Sequence, residues 1–172
     1  MNGGSRRKKR PMLILGTMLL MLAAAFVFNV VPSAAVDPPP PIQAEPLTQR
    51  SVFPDEIDMK LKLRGHHGMV VVQVDDPSRT VSVKYTVQPG AQFPWHSHRG
   101  PVVVNIMSGS LNYIRSGTCD ERVYSAGESF VDPGHGHVHS AINRGTEPTE
   151  FIATFFEAPE TGPLLIPADP AC

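Results

Sequence analysis

Two short triplets, His96-Ser97-His98 and His137-Val138-His139, hold four of the seven histidines in the same arrangement, two imidazoles separated by one residue. On an extended backbone side chains alternate between faces, so both histidines of a triplet point the same way. Imidazole is the commonest metal-ligating side chain, and divalent first-row metals accept several such donors at about 2.0–2.1 Å in the case of zinc. One HxH triplet is a weak signal, whereas two in one small chain are a stronger one. His66 and His67 in "RGHHGM" and His135 in "PGHGH" read as turn residues. Glu128 and Asp132 in "ESFVD" are candidate carboxylate donors, although charged residues at strand ends more often face water. No nucleophile elbow, phosphate-binding glycine loop or CxxC pair accompanies the histidines.

Such triplets need strands to aim them. "TVSVKYTV" alternates strictly, with Val81, Val83, Tyr85 and Val87 on one face and Thr80, Ser82, Lys84 and Thr86 on the other. Similar runs occur at 59–63, 69–74, 102–107, 110–115, 128–132, 137–142 and 150–156, separated by turn residues such as "DDPS", "PG", "SG", "AG" and "NRGT". No convincing helix appears after Asp55. The pattern predicts an all-β sandwich or closed barrel, with residues 55–172 long enough to bury a real core.

The spacing of glycines around the histidines is more specific. Gly90 precedes His96 by five intervening residues, His98 follows, and Gly109 lies eleven further on; later come Gly127, Pro133, Gly136, His139 and Asn143. This arrangement, spread over Thr80 to Phe156, resembles the two motifs of the cupin family. The resemblance implies a single jelly-roll barrel with a metal bound inside it, and implies His96, His98 and His139 as the metal ligands. The cofactor it implies is a divalent transition metal such as Fe, Mn, Zn or Cu. Two positions depart from the motifs. Val102 stands where the family usually has a glutamate, and one extra residue lies between Pro133 and Gly136. With three neutral ligands the metal's charge would be uncompensated and would attract a small anionic or chelating ligand. His137 is then the candidate catalytic acid or base beside the metal, with a vacant fourth ligand position as its alternative role.

The front of the chain has a different composition. Arg6 to Arg10 form a basic cluster, and an apolar run from Met12 to Val31 follows, with small residues at Ser33 and Ala35. Residues 1–35 therefore read as a hydrophobic helix, either a cleaved signal peptide or an uncleaved membrane anchor, and both place the body outside the cytoplasm. Residues 36–54 are proline-rich, including "DPPPP", and read as a semi-rigid linker; an ordered arm is the alternative for Leu47 to Phe53. Five of the 15 Lys and Arg lie in the basic cluster, which leaves 10 against 16 Asp and Glu beyond Val36, a formal charge of −6. That balance argues against nucleic acid as a partner. The two cysteines, Cys119 and Cys172, are expected to form an internal disulfide in an oxidising compartment, with free thiols or pairing between chains as the alternatives.

Two function classes follow on this reading, beside a purely structural role that would require an empty barrel. One is a metal-dependent oxygenase or isomerase acting on a small chelating or anionic substrate; the other is a non-catalytic module that holds a metal or small-molecule ligand. The family resemblance also leaves room for a homodimer.

Overall fold

A computed structural model describes Met1 and residues 41–65, 68–74 and 77–170. The N-terminal hydrophobic helix, His66, His67 and Cys172 lie outside the described residues, and with Cys172 the expected disulfide partner of Cys119. No helix among the described residues is long and apolar enough to cross a membrane. The described residues from 41 onward belong to one compact unit.

Its strands run β1 (Ile42–Pro46), β2 (Ser51–Val52), β3 (Met59–Gly65), β4 (Gly68–Val74), β5 (Arg79–Val87), β6 (His96–Ser97) and β7 (Val102–Ser108). They continue as β8 (Ser110–Arg115), β9 (Glu121–Ser125), β10 (Ser129–Asp132), β11 (His139–Ile142), β12 (Thr149–Phe155) and β13 (Ile166–Pro167). One sheet has the order β1-β5-β12-β7-β10, with β2 also on β5; the other has the order β13-β6-β11-β8-β9. The described part is thus all-β, as the alternation predicts. β3 and β4 form a separate hairpin.

The inner faces of the two sheets meet in one apolar core. Val81, Val83, Tyr85 and Val87 of β5 are buried in alternation, and Phe151, Ala153 and Phe155 of β12 continue the same layer. Val102, Val104 and Ile106 of β7 extend it, while Leu111 and Ala141 come from the opposite sheet. Tyr85 stacks on Phe151 at 5.1 Å and meets Phe93 edge-on at 5.5 Å, so the core's centre is aromatic. Buried Asn143 donates to the carbonyls of Val87 and Glu147 at 2.9 and 2.8 Å, fastening the turn after β11 to the end of β5.

Two boundaries differ from the sequence reading. Part of the expected linker is sheet: Ile42–Pro46 pairs with β5, in register from Ile42 opposite Val87 to Pro46 opposite Val83, and Ser51–Val52 pairs further along the same strand. Proline-rich composition hid this because an edge strand uses only one side of its backbone, and Pro is tolerated on the other. The second triplet is also not a strand as a whole. β11 starts at His139, and His137 sits in the turn before it.

That turn is fixed by a close backbone approach. Gly134 has φ +66°, and a Cβ there would stand 2.0 Å from the Gly100 carbonyl oxygen. Beside it the His135 N–H donates to the Arg99 carbonyl at 3.1 Å, so the segment after β10 is seated on the segment after the first triplet. Gly134→Ala is expected to destabilise the fold by at least about 1–2 kcal/mol from the left-handed backbone alone, with the steric overlap adding to it. Urea denaturation measures this as a lowered midpoint.

Candidate metal centre

β6 and β11 pair through a single register position, His96 opposite His139. Cross-strand partners share a face, so this pairing puts two imidazoles side by side, and His98, just past β6, adds the third. Their ring centroids are 4.3 Å apart for His96 and His139, 4.9 Å for His96 and His98, and 5.1 Å for His98 and His139. All three residues are about 5 % exposed.

The ring nitrogens are assigned by their hydrogen-bond partners. His96 Nδ1–H donates to the Pro94 carbonyl at 2.7 Å, and His98 Nδ1–H to the Leu164 carbonyl at 2.9 Å. His139 Nδ1 lies 3.2 Å from both the His137 carbonyl and Asp132 Oδ2. Carbonyls and carboxylates only accept, so each Nδ1 carries the proton and each Nε2 keeps its lone pair. Burial pulls His96 and His139 down to about 4, and it lowers His98 as well, so all three are neutral near pH 7. Metal binding requires this form.

The potential ligand atoms of His96, His98 and His139 lie within 4.8 Å of one another. They border a cavity of ≈ 50 Å³ whose other walls are mostly apolar, among them Phe93, Val104, Phe151 and Phe155. Three neutral nitrogen donors converging in an apolar cavity, with their outer nitrogens already occupied, suit a divalent transition metal. The residues present therefore fit the ion.

Asp132 changes the electrostatic expectation. It closes β10 directly opposite Val102, the position where the expected acid is missing, and is 1 % exposed. The carboxylate thus enters the site from the neighbouring strand. Its Oδ2 accepts the Tyr113 hydroxyl at 2.5 Å and His137 Nδ1–H at 3.2 Å, and its Oδ1 accepts the Gly134 N–H at 2.8 Å. Burial pushes Asp132 up, but the hydrogen bond from His137, the adjacent His139 and the Tyr113 hydroxyl outweigh it and bring it down to about 2. The carboxylate is ionised behind His139, so the uncompensated charge expected for the site is corrected: one negative group stands at hydrogen-bond distance from a ligand. Glu128, the other candidate, is exposed and accepts the Ser125 N–H instead.

Tyr113 is a site residue that the sequence reading did not single out. Its ring stacks on His139 at 4.9 Å, and burial, followed by the charge of Asp132, holds its hydroxyl protonated. The signal for both Tyr113 and Asp132 is pairing register, which brings β8 beside β11 and β10 beside β7. His137 is placed differently from the expectation. Its Nδ1 is 3.2 Å from Asp132, but it does not line the cavity of the three histidines. His135 is exposed and pairs with Glu157 at 3.0 Å.

Fold and site together define a small double-sheet β barrel with a buried histidine triad. Residues 83–155 match the family model described as "Cupin domain". Residues 83–155 are thus a cupin domain. Among solved structures it is similar to the polyketide cyclase RemF from Streptomyces resistomycificus, at 17 % identity and TM-score 0.45, over 52 % of this chain and 61 % of that one. The chain thus spans less than two thirds of RemF's length. It is also similar to KdgF from Halomonas sp., at 18 % identity and TM-score 0.46 over 70 % and 82 % of the two chains. A structure of oxalate oxidase aligns at 24 % identity and TM-score 0.44 over 51 % and 45 %.

Two outcomes follow from this geometry. His96 and His139 have an ordinary value of 6.5 when unfolded and about 4 when folded. Between those values the unfolded chain takes up protons that the folded chain refuses, so stability is lost as pH falls from 6.5 towards 4. Asp132, depressed from 3.8 to about 2, adds a further loss below 3.8. The urea midpoint of metal-free protein is expected to be level above pH 6.5 and to drop continuously below it; a level midpoint down to pH 4 would contradict the assignment. Asp132→Asn is expected to weaken metal retention about tenfold or more, by loss of the charge behind His139, in a chelator competition.

Proposed function

We propose that this chain is a metal-dependent oxygenase or isomerase that holds a divalent transition metal, Fe, Mn, Zn or Cu, through Nε2 of His96, His98 and His139. The observation that carries the reading is the set of three occupied Nδ1 atoms, which leaves three lone pairs facing one apolar cavity. Bound there, the ion would supply a Lewis acid or redox centre. The chain's own residues would do the rest. The apolar walls exclude water, and the ≈ 50 Å³ space limits the reacting part of a substrate to a few heavy atoms, as a small chelating or anionic group would be. Tyr113 and Asp132 both line the cavity, and Asp132 joins them to His137. His137 would therefore exchange protons with the cavity through Asp132 and Tyr113 rather than by touching the substrate.

The same small cavity supports a second reading, a binding module without turnover. Beyond the triad its polar lining is Tyr85, Asp132 and Tyr113, and the last two are engaged with each other at 2.5 Å. In either case the basic and apolar front of the chain supports a location outside the cytoplasm, secreted or membrane-anchored, with Cys119 and Cys172 joined.

Elemental analysis of the protein, purified without a histidine tag, is expected to find about one equivalent of a single metal, absent in His139→Ala. No uptake from excess Fe(II), Mn(II), Zn(II) or Cu(II) would end the metal reading. For the metal-loaded protein, His137→Ala should retain the ion and lose turnover; retained turnover would remove His137 from the mechanism, and a loaded protein inert towards small chelating acids would favour the binding module.

A further inference from the structure

A second and larger depression, ≈ 400 Å³, lies between the β3–β4 hairpin and the strands β8, β9 and β10. Four cations line it: Lys62 and Arg64 from the hairpin, Arg115 from β8 and Arg122 from β9. These are four of the ten Lys and Arg in a body whose formal charge is −6. Asp120 is the one carboxylate in the lining, and it is paired with Arg115 at 3.1 Å.

Elsewhere on the described surface Lys84 pairs with Glu150, Arg79 with Glu160 and Arg144 with Glu121, while Arg50 donates to the carbonyls of Pro159 and Gly162. Lys62, Arg64 and Arg122 pair with no carboxylate among the described residues. Arg122 instead lies over the Tyr124 ring at 4.8 Å, a contact that steadies the guanidinium without neutralising it. Three uncompensated cations around one concavity repel each other, and the arrangement is relieved when an anion enters. The other walls are apolar or aromatic, including Leu63, Val70 and Phe130.

We propose that this groove binds a small organic dianion, with its acidic groups on Lys62, Arg64 and Arg122 and its carbon frame against Phe130 and Tyr124. The volume suits a molecule of metabolite size. Tyr113 and Phe130 line both this groove and the histidine cavity, and His137 borders the groove while its Nδ1 rests on Asp132. The site is therefore distinct from the metal centre yet shares a wall with it.

Calorimetric titration with meta-benzenedisulfonate tests this, because sulfonates stay charged and are poor ligands for first-row metals. The full-length protein, metal-free and metal-loaded, is expected to bind about one equivalent in both forms, more weakly as salt is raised. Lys62→Gln and Arg122→Gln should each weaken it about tenfold, the equivalent of one charge-assisted contact. Lys84→Gln, which removes the same charge from β5 outside the groove, should leave it unchanged. Absence of saturable binding, or equal weakening by all three substitutions, would overturn the proposal. Binding confined to metal-loaded protein would overturn it too, by placing the anion at the histidines.

Discussion

A buried imidazole has two nitrogens, and the structure is organised around giving one of them away. Each histidine of the triad surrenders Nδ1–H to an acceptor, and only then can its Nε2 face an apolar cavity as a free base. The three acceptors come from distant parts of the chain. Pro94 lies just before β6, the His137 carbonyl belongs to the turn before β11, and Leu164 precedes β13. The two sheets, the β10–β11 turn and the C-terminal segment must all be in place before the three rings converge.

Asp132 solves a related problem at greater energetic risk. An ionised carboxylate at 1 % exposure is strongly unfavourable unless its lone pairs are filled. Here a phenol, imidazole N–H groups and a backbone amide fill them. Removing any one partner leaves the charge less supported, so the network links β8, β10 and the turn before β11 by mutual need. It also accounts for Val102: a second acid directly opposite Asp132 would set two negative charges side by side on one face.

Period-two alternation made the core legible. β5 and β12 have the inner residues that their sequences imply, and His96, His98 and His139 do meet, as spacing and family resemblance together anticipated. What alternation cannot supply is register. Nothing in "ESFVD" says that its last residue faces Val102, so Asp132 looked like an ordinary strand end, and Tyr113 looked like one aromatic among several. His137 was misplaced for a related reason, since the HVH triplet reads as extended while Gly134 and Gly136, both at positive φ, bend the chain before β11 begins. Composition speaks to stiffness and is silent on pairing, so Ile42–Pro46 is not legible as a strand, while Ser51–Val52 falls within the ordered-arm alternative.

The C-terminal segment has no periodicity to draw attention to it, yet β13 runs antiparallel to β6, with Ile166 opposite Ser97 and Pro167 opposite His96. The Ala168 N–H donates to the Trp95 carbonyl at 3.1 Å, and the Leu164 carbonyl orients His98. The recognisable family region stops at residue 155. A chain ending at that border would keep all three ligands and lose both the strand that flanks the first and the atom that sets the tautomer of the second. The outline by which a family is recognised and the stretch of chain whose contacts frame its centre are, in this molecule, different lengths of polypeptide.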